Sequence, residues 1–150
     1  MPENFVLGMN CKLYFDATPV GSTDYSSITT ELSNVTDVNL NLETGEADIT
    51  NRANNGWRAT AATLKDGSIE FEMVWKPSDP GFQAIQTAWK NSAEIAILCL
   101  DGARTVAGSQ GLGGNFTVAN FSRSEPLEEA VKASVTLKPS SYNDWTTITT

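Results

Sequence analysis

Histidine is absent from the 150 residues. That removes the usual general base near neutral pH and the commonest transition-metal ligand. Ser–His and Cys–His nucleophilic chemistry cannot be built within one such chain. Cysteine is scarce. Cys11 and Cys99 both lie in strand-like runs and read as reduced, buried, small apolar residues. Nothing in the sequence points to the oxidising compartment that a disulfide needs. Basic residues are few, 10 against 18 acidic, for a formal net charge of −8. A surface that grips nucleic acid needs the opposite balance. An acidic wall does suit nucleic acid that must slide past without sticking. Long apolar runs are also missing. The longest, residues 95–100, has the length of a buried strand and falls far below the ~18 residues of a membrane span. Residues 1–5 lack a basic region followed by an apolar stretch. No signal peptide is therefore expected, and synthesis in the cytoplasm is.

What is present is alternation. Along residues 34–43, Val38, Leu40 and Leu42 share one face, while Asp37, Asn39, Asn41 and Glu43 share the other. Along residues 68–75, Ile69, Phe71, Met73 and Trp75 oppose Glu70, Glu72 and Val74. Further strands are predicted over 10–16, 58–64, 92–101, 116–124 and 130–138, the last with Val131, Ala133, Val135 and Leu137 inward. Lys65-Asp66-Gly67 is a hairpin signal. Asp79 can cap a helix with Pro80 at its first position, and Phe82, Ile85, Ala88 and Trp89 follow at helical spacing, so 79–91 reads as one amphipathic helix. Residues 18–30 read as a long connection with Tyr25 and Ile28 as anchors. Residues 48–57 read as an exposed loop and 102–115 as a glycine-rich flexible loop. One domain spans 1–150, with an arm over about 1–9 and a flexible polar tail over about 140–150. The expected fold is mainly β with one α-helix: an antiparallel β-sandwich or partial barrel of six or seven strands flanked by that helix.

Chemical motifs are weak throughout. Gly108–Gly114 lacks the Gly-Lys-Ser/Thr ending of a phosphate loop and joins no strand to a helix. Glu70 and Glu72 would lie roughly 7 Å apart on one strand face, a spacing compatible with glycoside hydrolysis but equally with a solvated polar face. Asp48, Asn51, Asn54 and Asn55 lack the ligand order of a calcium loop. No cofactor or metal is expected. Trp75 and Trp89 sit on apolar faces and read as core, whereas Trp57 and Trp145 fall in exposed segments and suggest contact with a partner.

In order and spacing these features resemble the major tail tube proteins of long-tailed phages. The resemblance rests on Val38-Asn39-Leu40-Asn41-Leu42, Asp48-Ile49-Thr50 and Gly56-Trp57-Arg58. It continues in the strand 67–75, the Asp79-Pro80-Gly81-Phe82 helix start, and the Ser134-Val135-Thr136-Leu137-Lys138-Pro139 strand. It covers roughly residues 8–139. It implies a non-enzymatic structural subunit that assembles into stacked hexameric rings. Their lumen would hold the tape measure protein and conduct double-stranded DNA. Implied partners are other copies of the chain, the tape measure protein, the tail terminator and the baseplate or tip proteins, with no membrane. The implied location is the host cytoplasm during assembly and then the virion tail.

On this basis Asn39, Asn41, Glu43, Glu70 and Glu72 are expected to face the lumen. Asp48, Asn51, Arg52, Asn54, Asn55 and Trp57 are expected to stack rings. Phe82, Ile85 and Trp89 are expected to pack the helix. Lys132 and Lys138 depart from a uniformly acidic lumen face, and the arm is short. The nearest alternative is a tube protein of a contractile tail, a bacteriocin particle or a secretion system. A second alternative is a carbohydrate-binding β-sandwich using Trp57 and Trp145.

Overall fold

The computed structural model describes residues 8–149. The arm expected over 1–9 lies outside the described residues except for Gly8 and Met9, which enter a short 3-10 turn, Gly8–Asn10. Seven strands follow: β1 (Lys12–Asp16), β2 (Thr30–Glu31), β3 (Val35–Asp48), β4 (Thr60–Val74), β5 (Glu94–Leu100), β6 (Gln110–Ser124) and β7 (Lys132–Thr147). One helix, α1 (Pro80–Lys90), sits between β4 and β5. The mainly-β architecture with one helix is therefore as expected. Its strands form a single open antiparallel sheet in the order β2-β1-β5-β6-β7-β4-β3. The sheet does not close. A groove of about 910 Å³ separates its two edges, with Cys11, Leu13 and Glu31 on one side and Val35 to Asn39 on the other.

The helix forms where the capping chemistry puts it. Asp79 accepts the Phe82 N–H at 3.0 Å, Pro80 takes the first turn, and Ser92 in the left-handed region (φ 51°) turns the chain away. Phe82, Ile85 and Ala88 are buried against Ile69, Phe71 and Met73 of β4, Ile95 and Ile97 of β5, and Val135 and Leu137 of β7. Trp89 does not join this core, contrary to the reading of its helical face. It is 50% exposed and stacks on Phe121, ring centres 6.3 Å apart. Phe121 also touches Phe82 and Trp75, and the Arg123 guanidinium lies 5.0 Å from the centre of the Trp75 ring.

The other face of the sheet carries a second, smaller cluster over β1 and β5. Tyr14, Ala96, Leu98 and Leu100 are covered there by Val20, Tyr25 and Ile28 of the β1–β2 connection. Both expected anchors are buried. Arg104 ties the connection down. Its guanidinium donates to the carbonyls of Tyr25, Ser26 and Ile28 at 2.8–2.9 Å. Asn115 grips Val20 through both its side-chain amide groups. The Tyr25 hydroxyl donates to the Tyr142 carbonyl, and burial, followed by the Asp144 charge, pushes its pKa up.

Four local readings are corrected. Lys65-Asp66-Gly67 is not a hairpin, because β4 runs straight through it. Gly67 pairs with Leu42, and a Cβ there would come 2.9 Å from the Asn41 carbonyl, so the glycine serves close cross-strand approach. The glycine-rich stretch enters β6 at Gln110. Gly113 lies under the Tyr25 ring, where a Cβ would come within 2.9 Å. The residues read as a flexible tail extend β7 to Thr147, paired with β6 from Phe116↔Pro139 to Gln110↔Thr147. A bulge there holds Tyr142 at φ 53° opposite Gly114. Finally, Cys11 is exposed and Cys99 only partly buried by its neighbours. Burial, followed by the nearby Cys11, raises the Cys99 thiol to about 11.

Truncating Phe82 removes a fully enclosed ring, so Phe82→Ala is expected to cost about 3–5 kcal/mol. Trp89→Ala removes a half-exposed stacking contact and is expected to cost about 1 kcal/mol. Chemical denaturation of the two variants checks the difference. Equal losses would contradict the burial described here.

Candidate assembly surfaces

Two exposed surfaces stand out among the described residues. The first is the polar side of β3, β4 and β7. The register sets Asn39 opposite Glu70, Glu70 opposite Thr136, and Thr136 opposite Asn120. Directly paired antiparallel residues project to the same side. A second row runs Glu72, Ser134, Ser122, and a third sets Asn41 against Ser68, with the Asn41 amide 3.4 Å from the Ser68 hydroxyl. Four of the five expected lumen residues, Asn39, Asn41, Glu70 and Glu72, thus lie together. Glu43 shares their side but sits farther out, opposite Asp66. Lys132 and Lys138 belong to this side as well, and no ion pair involves either among the described residues. The surface is a shallow depression of about 360 Å³ lined by Asp37, Asn39, Glu70, Glu72, Ser134 and Thr136. Among the described residues no cluster of three acidic or thiol side chains could hold a metal.

The second surface is a ribbon. β4 pairs with β7 only over residues 69–74, while its pairing with β3 continues to Asp48↔Thr60. Beyond Ile69 the two strands therefore project as a two-stranded hairpin. Along it Leu42, Ile49, Trp57 and Leu64 are 53%, 54%, 78% and 84% exposed. The alternation had not singled out Leu64, because a solvent-facing leucine carries no pattern of its own. An isolated two-stranded hairpin is marginal in water.

The tip of the ribbon is nonetheless folded. Asn51 accepts the Ala53 N–H at 2.8 Å and Asn54 accepts the Asn51 N–H at 2.7 Å, a reciprocal cap on the turn Arg52–Asn54. Asn55 (φ 52°) and Gly56 (φ 83°) reverse the chain in the left-handed region. The Asp48 carboxylate accepts the Thr50 N–H, and the Thr50 hydroxyl and N–H hold it below the usual carboxylate range. The Thr50 hydroxyl also bridges to Ala59. The six expected stacking residues are thus one constellation with divided labour. Asp48, Asn51, Asn54 and Asn55 shape the tip, while Arg52 and Trp57 project from it.

The family described as phage tail tube protein matches residues 20–141. The chain is similar to the tail of an empty GTA particle, refined with helical and C6 symmetry, at 14% identity and TM-score 0.73, covering 93% of this chain and 98% of that one. It is similar to the SPP1 tail tube at 18% identity and TM-score 0.70, covering 97% and 81%. It is more distantly similar to a chain of the anti-feeding prophage baseplate, at 10% identity and TM-score 0.53, covering 93% and 91%. No curated protein matches the sequence.

Removing the tip cap should loosen the tip alone. Asn51→Ala is expected to leave the melting temperature within about a degree, because the tip shares no buried core. It is expected to raise amide exchange at Ala53 and Asn54 by roughly fivefold, matching the ~1 kcal/mol of a lost cap. Exchange measured by NMR checks this, and slowed exchange or a large drop in melting temperature would contradict it.

Proposed function

Because the chain belongs to the phage tail tube protein family, we propose that it assembles into stacked hexameric rings whose lumen holds the tape measure protein and later conducts double-stranded DNA. It is a structural protein of the virion tail and not an enzyme. Self-association is its chemistry, with the tail terminator and the baseplate or tip proteins at the ends of the tube and assembly taking place in the host cytoplasm. The likeness to assembled tail and baseplate chains supports this reading.

The observation that carries the lumen assignment is the polar side of β3, β4 and β7. It bears Asn39, Asn41, Glu70 and Glu72 with Ser134 and Thr136, and it lies opposite the helix-covered core. Its carboxylates, Glu70 and Glu72 with Glu43 farther out, outnumber Lys132 and Lys138 on the same side, so the face offers a passing duplex no net positive surface to adhere to. Glu43 extends the same side along the ribbon. The ribbon tip, with Asp48, Asn51, Arg52, Asn54, Asn55 and Trp57, is the stacking element. Phe82 and Ile85 fasten α1 to the back of the sheet, with Trp89 at its margin. The carbohydrate-binding reading loses support, because the Trp145 indole N–H is engaged by Gln110 and Trp57 stands on a separate hairpin.

Negative-stain images of concentrated protein are expected to show stacked six-fold rings with a central hole. A monodisperse monomer at every concentration, with the tape measure protein present, would remove the tube reading. Tubes carrying Glu70→Lys and Glu72→Lys are expected to retain duplex DNA at low salt and release it as salt rises. Retention equal to the unmodified tube would take these residues out of the lumen.

A further inference from the structure

We infer that the tip of the β3–β4 ribbon docks head to tail on the β6–β7 turn of a second copy of this chain. This rests on the tube reading above and names the surface that receives the tip. The two surfaces lie at opposite ends of the subunit. Thr60 begins β4 beside the tip, and Val74 ends it paired with Lys132, just after the β6–β7 turn. Fifteen strand residues separate them, about 50 Å at the usual rise.

The two ends carry opposite charge. The tip, residues 48–59, contains Arg52 and Arg58 against one carboxylate, Asp48, which is turned onto Thr50. Residues 125–131 contain Glu125, Glu128 and Glu129 and no basic residue. Among the described residues Arg52, Arg58, Glu128 and Glu129 take part in no ion pair, whereas Glu125 is held by Arg123 at 3.4 Å. Lys132 begins β7, so the acidic surface is confined to the turn. Each end also presents an apolar side chain to solvent, Trp57 at 78% and Leu127 at 100%. Opposed charges set the register and the partner, while the apolar pair contributes burial.

A contact between two different patches leaves a free tip at one end of the assembly and a free turn at the other, and with the patches at opposite ends of the subunit it propagates along one axis. A tip-to-tip contact would instead oppose four guanidinium groups and stop at a pair. Docking also gives the ribbon beyond Ile69 a packing partner that the described residues of its own subunit do not provide.

Charge reversal tests the pairing. The chain with Arg52→Glu and Arg58→Glu, and the chain with Glu128→Arg and Glu129→Arg, are each expected to raise the concentration needed for tube formation about tenfold or more. Combining all four substitutions is expected to restore it. Sedimentation and negative-stain imaging read the assembly, and circular dichroism confirms that each variant folds. If either reversal alone assembles like the unmodified chain, or if the combination stays impaired, the pairing is wrong while the tube reading stands. If the unmodified chain forms no tubes, both fail together.

Discussion

Ile69, Phe71 and Met73 are packed under α1 with almost no exposure, and in an extended chain that packing commits Glu70 and Glu72 to the other side. The consequence spreads through the ladder. Direct pairing carries the same division to Asn39 and Asn41 on β3 and to Ser134 and Thr136 on β7. One helix thus polarises half of the sheet. A slip of one residue would put glutamates under Phe82 and leave them buried without partners, a costly arrangement that holds the register firmly.

The other half of the sheet is handled differently. Over β1 and β5 the side away from the helix is apolar and is closed by the β1–β2 connection. That connection has almost no regular structure, so its shape depends on outside donors. Arg104 supplies three to its carbonyls and Asn115 clasps Val20. The polar strip is therefore bounded on one flank by this cover and on the other by the β3 edge. Among the described residues both outermost strands keep unpaired backbone groups, a liability for an isolated subunit and an asset for one that joins its neighbours.

The ribbon beyond Ile69 shows why the tip was legible as a loop but not as a shape. Asn, Gly and Asp density marked residues 48–57 as exposed. The reciprocal Asn51–Asn54 cap and the left-handed Asn55 are local chemistry that the bare pattern did not distinguish from other polar turns. The Asp-Gly pair at 66–67 misled for the opposite reason. Its turn preference was real, but continuous pairing of β3 with β4 overrode it, since each ladder step satisfies backbone groups that a turn would leave to water. Residues 139–147 hid a strand for a related reason. Their Ser, Asn and Asp residues carry no apolar alternation, and β6 alone supplies their pairing.

Local pattern in the chain was enough to specify the helix and its cap, the two amphipathic strands β3 and β4 at one flank of the sheet, and the exclusion of histidine chemistry. These follow from periodicity, local capping and composition, which act between near neighbours. It took the folded arrangement to show that seven strands form one open sheet, that Trp89 stays at the surface, and that the ribbon extends past the β4–β7 pairing. Those outcomes depend on which strands lie side by side, and pairing between residues far apart in the chain leaves no mark in local pattern.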